Sequence, residues 1–584
     1  MDIFTVLSLI GGLALFLYGM DLMGDSLKKL AGGKLESILA KLTSTRLKGL
    51  FLGLAVTAVI QSSSATTVML VGFVNSGIMQ LGQTISIILG ADIGTTVTAW
   101  LLSTADIQGT ATIIKLFKPE SFTPILAVVG LLMTMMCKSD KKKNIGYIFI
   151  GFAVLMFGMD AMSSSVEGLR DNETFTNMLT MFSNPLMGIL VGTLFTAVIQ
   201  SSSASIGVLQ ALALSCAIPF STAIPVILGQ NIGTTITPII SSIRGNIDSK
   251  RVAMACLYIK IIGVVVICGG FYALDAIFNF SFMEQNVSAI TIALIHTLFN
   301  VILTIILLPC CSLLEKMVIK TVKSKKPEKE FDVFDTLDER FLEMPAFAVE
   351  KCKDLVCEMS RISNEAVDKA VLLLDKFDPD LFSEVQTLEN LIDKYEDKTS
   401  TYLIRIAENQ MSSNDSKVVT ELLHCIGDIE RISDHALNLA EAAQEIHEKK
   451  INFSAKAKKD IGIMTSAVAE ILHLSTKALA EDDIEAATRV EPLEQVIDRL
   501  KRKIKSGHIE RLRQGDCTME LGFVLSDIIN NCERIADHCS NIAACFIEIT
   551  NDSFEIHEYL NQLKSSEEND FAVMYNDYKQ KYYI

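Results

Sequence analysis

Residues 57–65 read TAVIQSSSA, and residues 196–204 repeat the same sequence. Each copy places a glutamine and three serines inside an otherwise apolar stretch. A second shared phrase follows each copy: ILGADIGTTVT at 88–98 and ILGQNIGTTIT at 227–237. Both phrases recur at one offset of 139 residues. The repeat predicts two related halves, and its polar residues are the candidate functional positions.

The composition divides the chain of 584 residues in two. Residues 1–311 are largely apolar, whereas residues 330–584 are rich in Glu, Lys, Asp and Leu, as in long soluble helices. A net charge of −16 argues against nucleic acid as a partner. The thirteen cysteines include no CxxC pair, which favours reduced or lipid-buried thiols over a disulfide framework.

The apolar half predicts an all-α, polytopic membrane protein. A span needs about 20 mostly apolar residues. The polar interruption within 49–81 and within 188–220 predicts a re-entrant hairpin of two half-helices in each copy. The glycines of the second phrase predict a broken span in each copy. The predicted spans are 3–23, 84–103, 123–138, 145–163, 223–243, 252–274 and 289–311.

Three crossings per copy is an odd number, so the two copies are predicted to be inverted repeats. Basic loops at 24–48, 138–143 and 244–251 fall on one side, and the acidic loop 164–184 falls on the other. The positive-inside rule then places the N-terminus outside a cell (inner) membrane and the C-terminal half in the cytoplasm. The predicted domains are repeat 1 (1–144), repeat 2 (145–288), a seventh span (289–311), a linker (312–345), a soluble domain (346–548) and a tail (549–584).

The serine clusters are candidate anion ligands. A serine at a helix break caps the half-helix that follows and directs its N–H groups and positive end into the site. Two such ends would hold a small tetrahedral oxyanion without a buried cation. The alternative is a capped kink or a packing patch of small residues. The candidate anion residues are Gln61, Ser62, Ser63, Ser64, Gln200, Ser201, Ser202 and Ser203.

The second phrase offers neutral oxygens that suit Na⁺. Asp92 in the first copy corresponds to Asn231 in the second, and an intramembrane carboxylate is costly and usually functional. Asp92 is predicted to bind a coupling cation or a proton, the alternative being a pair with a neighbour. Lys260 and His296 are expected to be satisfied or snorkelling side chains and not ligands. The candidate sodium residues are Gln61, Gln200, Asp92, Thr95, Thr96, Asn231, Thr234 and Thr235.

With these motifs, residues 1–311 resemble the type II sodium-phosphate cotransporter family. The resemblance implies sodium-coupled import of inorganic phosphate by alternating access. It implies that phosphate meets the two serine clusters and that sodium lies near the glutamines and the GTT threonines. Asp92 stands where the family phrase often has Asn, which leaves the coupling cation open.

The soluble half contains a second duplication. TLENLIDK at 387–394 matches PLEQVIDR at 492–499, and ERISDHALN at 430–438 matches ERIADHCSN at 533–541. Two three-helix bundles are predicted, at 346–448 and 456–548. Each has two ExxxD pairs with both carboxylates on one helix face, which favours a metal site over the alternative of a solvated acidic face. His435 and His538 are candidate ligands or supports. The carboxylates are Glu389, Asp393, Glu430, Asp434, Glu494, Asp498, Glu533 and Asp537.

This half resembles the PhoU family of phosphate-signalling proteins, which implies a regulatory module and a divalent or trivalent metal. Lipid is an expected partner, since the basic run 320–326 suits an anionic leaflet. A second copy of the chain and a phosphate-signalling protein are further candidate partners. No Walker loop or catalytic zinc signature is present, so no enzyme is predicted. Another small oxyanion, a proton-coupled cycle and a phosphate receptor that does not transport remain alternatives.

Overall fold

The computed structural model describes residues 3–31, 45–106, 119–167, 182–323, 332–409, 411–515, 517–550 and 570–584. Within these ranges the secondary structure is helical, apart from an isolated β-bridge between Pro219 and Asn286. The predicted all-α class is confirmed. The chain divides into two units, Met1–Phe347 and Ala348–Ile584, which are described separately.

The first unit carries the apolar helices. Six helical segments of its described part are long and apolar enough to cross a membrane: α1, α4, α6, α9 with α10, α11 and α12. The predicted third span forms the shorter helix α5. The helices are α1 (Ile3–Ala31), α2 (Arg46–Ile60), α3 (Ser63–Asn75), α4 (Leu81–Ser103), α5 (Pro119–Met136), α6 (Asp140–Glu167), α7 (Pro185–Ile199), α8 (Ser202–Ser215), α9 (Phe220–Gly233), α10 (Ile236–Ser242), α11 (Ile247–Phe278), α12 (Ala289–Leu307) and α13 (Cys311–Thr321).

Several loops that served to predict the orientation lie partly outside the described residues. These are 32–44 of the basic segment 24–48 and 168–181 of the acidic loop. Within the described part, α1 continues to Ala31 and carries Lys28 and Lys29 on its last turn. These two lysines, which sequence analysis placed in a basic loop, are therefore part of the first helix.

The repeated polar phrase breaks each hairpin at the same place. Helix α2 ends at Ile60, and Gln61 takes a left-handed conformation with φ 60° before α3 begins. Helix α7 ends in the same way before Gln200, which has φ 61°. One left-handed residue is a common way to end an α-helix. The predicted break into two half-helices is thus present in both copies.

The glycines of the second phrase allow close helix packing and do not unwind α4. Helix α2 packs along α4. A Cβ atom at Gly90 would lie 2.0 Å from the Leu50 carbonyl oxygen, and one at Gly53 would lie 2.1 Å from the Ile87 carbonyl oxygen. The predicted break of the span at 90–94 is therefore wrong, because α4 is continuous. In the second copy α9 does end, at Gly233.

Helices α1 and α6, which correspond to each other in the repeat, pack antiparallel through glycines. Gly12 of α1 faces the Gly158 carbonyl oxygen, and Gly19 faces the Gly151 carbonyl oxygen. Gly12 corresponds to Gly151 and Gly19 to Gly158 in the repeat, so the two contacts are reciprocal. This pairing agrees with an inverted arrangement, which for the complete repeats stays a prediction.

The segment before the second unit packs against the hairpin of the first copy. Phe341 is fully buried, with its ring centroid 5.5 Å from that of Phe73 and 4.9 Å from that of Phe347. Asn75, the last residue of α3, donates a hydrogen bond of 2.7 Å to Asp338. Sequence analysis treats 312–345 as a linker, yet residues 332–347 are docked on the first unit.

The second unit consists of long amphipathic helices. Along α16 the buried positions include Ile426, Ile429 and Ile432, at the spacing that forms one apolar face. Three helices lie in each predicted bundle range. They are α14 (Pro345–Asp375, which begins in the first unit), α15 (Pro379–Ala407), α16 (Ser413–Glu448), α17 (Ala455–Glu481), α18 (Ile484–Gln514) and α19 (Met519–Thr550), followed by α20 (Asp570–Lys581).

Candidate functional site

The first serine of each cluster caps a half-helix. The Ser62 hydroxyl accepts a hydrogen bond of 3.1 Å from the Ala65 N–H at the start of α3. The Ser201 hydroxyl accepts one of 3.2 Å from the Ala204 N–H at the start of α8. An N-cap satisfies one of the free N–H groups of the first turn, and the helix end stays positive. The sequence thus creates two positive helix ends in apolar surroundings.

The two breaks lie next to each other. The Ser64 hydroxyl of the first copy donates to the Gln200 carbonyl oxygen of the second, at 3.5 Å. In the first copy the Gln61 side chain is held by its own repeat, since its Oε1 accepts from the Thr98 hydroxyl at 2.8 Å and its Nε2 donates to the Ala58 carbonyl oxygen. The serine clusters that are 139 residues apart in sequence therefore meet in space.

A small cavity lies beside this contact. Its volume for the centre of a water-sized sphere is about 20 Å³, which is room for about one water. A phosphate ion is larger than this space, so the lining residues would have to move to admit one. The lining residues are Ser63, Ser64, Thr67, Ile88, Asp92, Thr234, Thr235, Pro238, Cys256 and Lys260.

The predicted residues divide into those that line the cavity and those that do not. Ser63, Ser64, Asp92, Thr234 and Thr235 line it. Gln61, Ser62, Gln200 and Ser201 form the breaks, while Ser202 and Ser203 are buried in the first turn of α8. The Thr95 and Thr96 hydroxyls donate to the carbonyl oxygens of Ala91 and Ile93, at 3.0 and 2.8 Å, within α4.

The threonines where α9 ends give one wall of the cavity its polarity. The Thr234 hydroxyl donates to the Asn231 carbonyl oxygen at 2.7 Å, and the Thr235 hydroxyl donates to the Ile232 carbonyl oxygen at 2.8 Å. Because both protons are used, only lone pairs of these hydroxyls remain for a ligand. This wall is therefore suited to a hard cation and not to an anion.

Lys260 is satisfied, as sequence analysis expected, and its partner is Asp92, for which a pair with a neighbour was the stated alternative. Its Nζ lies 2.8 Å from Asp92 Oδ1 and donates to Asn231 Oδ1 at 3.2 Å and to Asn300 Oδ1 at 3.5 Å. The residue is 5% exposed and lies mid-helix in α11, too far from either end to snorkel. A buried cation therefore lines this cavity, whereas the expected anion site contained none. The sequence did contain a signal for this ion pair, because Asp92 and Lys260 each lie near the middle of a predicted span.

His296 is buried on α12, and its Nδ1 has no hydrogen-bond partner among the described residues. It does not line the cavity. The expectation that it is satisfied is not met at this atom, and the structure gives it no ligand role.

In the second unit, the acidic pairs of the first bundle influence one another. Burial raises the pKa of Glu389, and the nearby carboxylates of Asp393 and Asp434 raise it further. Burial likewise raises the pKa of Asp434, with a further contribution from Asp393 on the neighbouring helix. Two packed helices thus bring their carboxylates close together, and a bound cation would relieve the repulsion.

The second bundle differs because a lysine already reaches its acidic pairs. Lys501 Nζ lies 2.9 Å from Glu533 Oε2. Burial raises the pKa of Asp537, and Glu533 raises it further. In the described part of the chain, no three His, Cys, Asp or Glu side chains are arranged to hold a metal ion. The metal site stays a prediction, and the first bundle is the better candidate.

The two histidines that follow the acidic pairs join the bundles. His435 Nδ1 donates to Asn531 Oδ1 at 2.9 Å, and His538 Nδ1 donates to Asp428 Oδ1 at 2.8 Å. Their rings stack with centroids 5.7 Å apart. Asp428 and Asn531 occupy equivalent positions in the duplication, so the two bonds are reciprocal. Both Nδ1 atoms are used in packing the bundles together.

The Na+/Pi-cotransporter family model matches residues 15–164 and 154–291. The PhoU domain model matches residues 356–443 and 461–546. Residues 15–291 thus belong to the Na+/Pi-cotransporter family, and residues 356–546 contain PhoU domains. The resemblance of both halves is confirmed. The family of the membrane half is one of transporters and not of enzymes.

Relatives of the chain cover both halves. YjbB of Escherichia coli (strain K12), named as a candidate inorganic phosphate export protein, is 21% identical over 93% of this chain and 98% of that protein. The PhoU homolog 1 of Thermotoga maritima, a phosphate-specific transport system accessory protein, is 28% identical over 37% of this chain and 92% of that protein. Sodium-dependent phosphate transport protein 2B of Homo sapiens is 37% identical over 16% of this chain and 14% of that protein.

Proposed function

We propose that the chain imports inorganic phosphate by sodium-coupled alternating access and that its PhoU domains regulate this transport from the cytoplasm. The observation that carries the proposal is the meeting of the two capped breaks, where the Ser64 hydroxyl donates to the Gln200 carbonyl oxygen beside a polar cavity. Two positive helix ends and serine hydroxyls suit a small oxyanion. The residues of both QSSS clusters are the proposed phosphate ligands.

The threonine wall supports a coupling cation in the same place. Thr234 and Thr235 line the cavity with their hydroxyl protons already donated to carbonyl oxygens, and Asp92 lines the same cavity. Neutral and anionic hard oxygens suit sodium. A protonated Asp92 in a proton-coupled cycle is the alternative to sodium.

Export is the second candidate direction. It is favoured by the similarity to YjbB, which extends over 93% of this chain and so includes the soluble half. A secondary transporter runs in the direction that its gradients dictate, so the same site would serve either direction.

The uptake assay tests substrate, coupling and direction together. Full-length protein in liposomes is expected to accumulate radiolabelled phosphate when sodium is high outside and low inside, and not when choline replaces sodium. The Ser62→Ala/Ser201→Ala variant is expected to lose both caps, each contributing about 1 kcal/mol, and to take up phosphate at least tenfold more slowly. Ser454→Ala removes a cap in the soluble unit and is the matched control. Absence of gradient-driven accumulation by the unaltered protein would contradict the proposal.

A metal in the first bundle is a further part of the proposal. We expect full-length protein purified without chelator to retain a divalent or trivalent metal, measured by plasma mass spectrometry. Asp393→Asn is expected to lose most of it, because the variant removes one carboxylate from the cluster. Asp380→Asn, on an exposed position of the same helix, is the control. An unaltered protein without metal, or an Asp393→Asn variant with the full amount, would contradict the prediction.

A further inference from the structure

The Lys260 ammonium belongs both to a buried ion pair and to the wall of the cavity. It forms the ion pair with Asp92, at 2.8 Å, and it lines the same cavity as Ser63 and Ser64. Its side chain is 6% exposed and that of Asp92 is 7% exposed, so water screens the pair little. The only buried ammonium on the described cavity wall thus lies where an anion held by the serine clusters would be within reach of it.

Only one of the two carboxylate oxygens of Asp92 has a partner among the described residues. Its Oδ1 holds Lys260, whereas its Oδ2 is buried and has no hydrogen-bond partner among the described residues. Leaving a buried charged oxygen without a partner is costly, more so than for a neutral group. Thr234 and Thr235 line the same cavity with oxygen lone pairs. Together these oxygens offer a place for a small cation next to the ion pair.

The charges of the pair make phosphate and cation depend on each other. With Lys260 on Asp92 the pair is neutral, and an anion that enters the cavity also meets the Asp92 carboxylate. If Lys260 moved to the anion alone, Asp92 would remain buried without a counter-charge, which is strongly unfavourable. A cation bound at Asp92 removes that penalty.

We propose that Lys260 is a phosphate-binding residue that rests on Asp92 and is released when sodium takes its place there. In the empty site the ammonium compensates Asp92. In the loaded site sodium compensates Asp92, and the ammonium joins the serine hydroxyls at the phosphate. This inference rests on the proposed function and adds the residue through which sodium and phosphate are coupled.

Equilibrium binding of radiolabelled phosphate to the full-length protein, in sodium and in choline, tests the coupling. In the unaltered protein sodium is expected to tighten phosphate binding by about 5- to 150-fold, the usual range of such couplings. In Asp92→Asn the ammonium loses its counter-charge and keeps only its neutral partners Asn231 and Asn300. Phosphate is therefore expected to bind in choline within about threefold of its affinity in sodium. The control Asp248→Asn breaks the ion pair with Arg251 on α11, which lies outside the cavity.

The phosphate contact is tested by removing the ammonium. Lys260→Gln is expected to weaken phosphate binding by about 10- to 100-fold, as for loss of a hydrogen bond to a charged group. Because this variant leaves Asp92 unpaired and could fail to fold, Asp92→Asn/Lys260→Gln removes both charges and is expected to show the same loss. Arg251→Gln removes a charge from the same helix outside the cavity and is the control.

The outcomes separate the inference from the proposed function. An Asp92→Asn protein with the sodium dependence of the unaltered protein overturns the proposed release of Lys260 from Asp92 by sodium. A double variant that binds phosphate as tightly as Arg251→Gln overturns the role of Lys260. Unaltered protein that binds no phosphate in either salt overturns the proposed function itself, whatever the variants do.

Discussion

Gly90→Ala is expected to prevent the membrane unit from folding, although it adds a single methyl group. The new Cβ atom would lie 2.0 Å from the Leu50 carbonyl oxygen and 2.9 Å from the Leu54 nitrogen, both of them backbone atoms of α2. A flexible side chain could turn aside, but a helix backbone cannot, so α2 has to separate from α4. Overpacking with side chains costs about 1–3 kcal/mol, and we expect more than about 3 kcal/mol here. The measurement is the thermal midpoint and the monodisperse yield in detergent.

Gly11→Ala is the matched control for that substitution. Nothing lies within 4 Å of a Cβ atom at Gly11 on α1. Alanine is the better helix former by about 1 kcal/mol, so this variant is expected to be as stable as the unaltered protein or slightly more so. Gly229→Ala should fail like Gly90→Ala, since its Cβ would lie 2.1 Å from the Ile189 carbonyl oxygen. A Gly90→Ala protein with an unchanged thermal midpoint would refute the packing role of the glycines.

Phe341→Ala is expected to detach residues 332–347 from the hairpin. The Phe341 ring is fully buried between Phe73 and Phe347, and its edge fills the space above Gly72. Removing a buried Phe side chain costs about 3–5 kcal/mol, more than the remaining polar contacts of so short a segment provide. Limited proteolysis of the full-length protein should then cut within 332–347, and hydrogen exchange there should become faster.

Val333→Ala provides the comparison, because Val333 lies in the same segment and is 38% exposed. It should leave the proteolysis pattern as it is. Equal resistance of Phe341→Ala and the unaltered protein would show that the aromatic cluster does not hold the segment. Slower phosphate transport in Phe341→Ala alone would mean that the docked segment assists the hairpin.

Much of the membrane fold follows from local rules that act within a few residues. A serine that can cap a helix, set after a glutamine in an apolar run, predicts the end of one helix and the start of the next. The structure has that break in both copies, with Gln61 and Gln200 in nearly the same left-handed conformation. A helix cap depends on residues within one turn of it in the sequence. The same phrase in both copies therefore predicts the same break in both copies.

The predictions that the structure corrects concern contacts between residues that are far apart in the sequence. Glycines in α4 were expected to unwind the helix. They instead allow the backbone of α2, about 40 residues earlier in the chain, to pack closely against α4. Lys260 has no counterpart in the repeat, and its meaning depends on Asp92 being at the same depth on another helix. The sequence around the α4 glycines and around Lys260 does not show which helix these residues face.

The soluble half shows the same limit. The ExxxD spacing predicts that each pair shares a helix face, but not that Lys501 would reach Glu533 while the first bundle keeps its carboxylates together. Likewise the position of His435 after Asp434 suggests a ligand. Its Nδ1 instead donates to Asn531 of the other bundle, a partner that only the packed structure reveals.

The glycine contacts between α1 and α6 determine which parts of the membrane unit can move. Helices in backbone contact at Gly12 and Gly19 cannot slide, because any shift along the axis brings a side chain against the neighbouring backbone. The same holds for α2 with α4 and for α7 with α9. The described part of the unit thus contains at least three stiff helix pairs. We therefore expect conformational change to occur outside these pairs. The Ser64–Gln200 contact lies at such a boundary, between α3 and the end of α7.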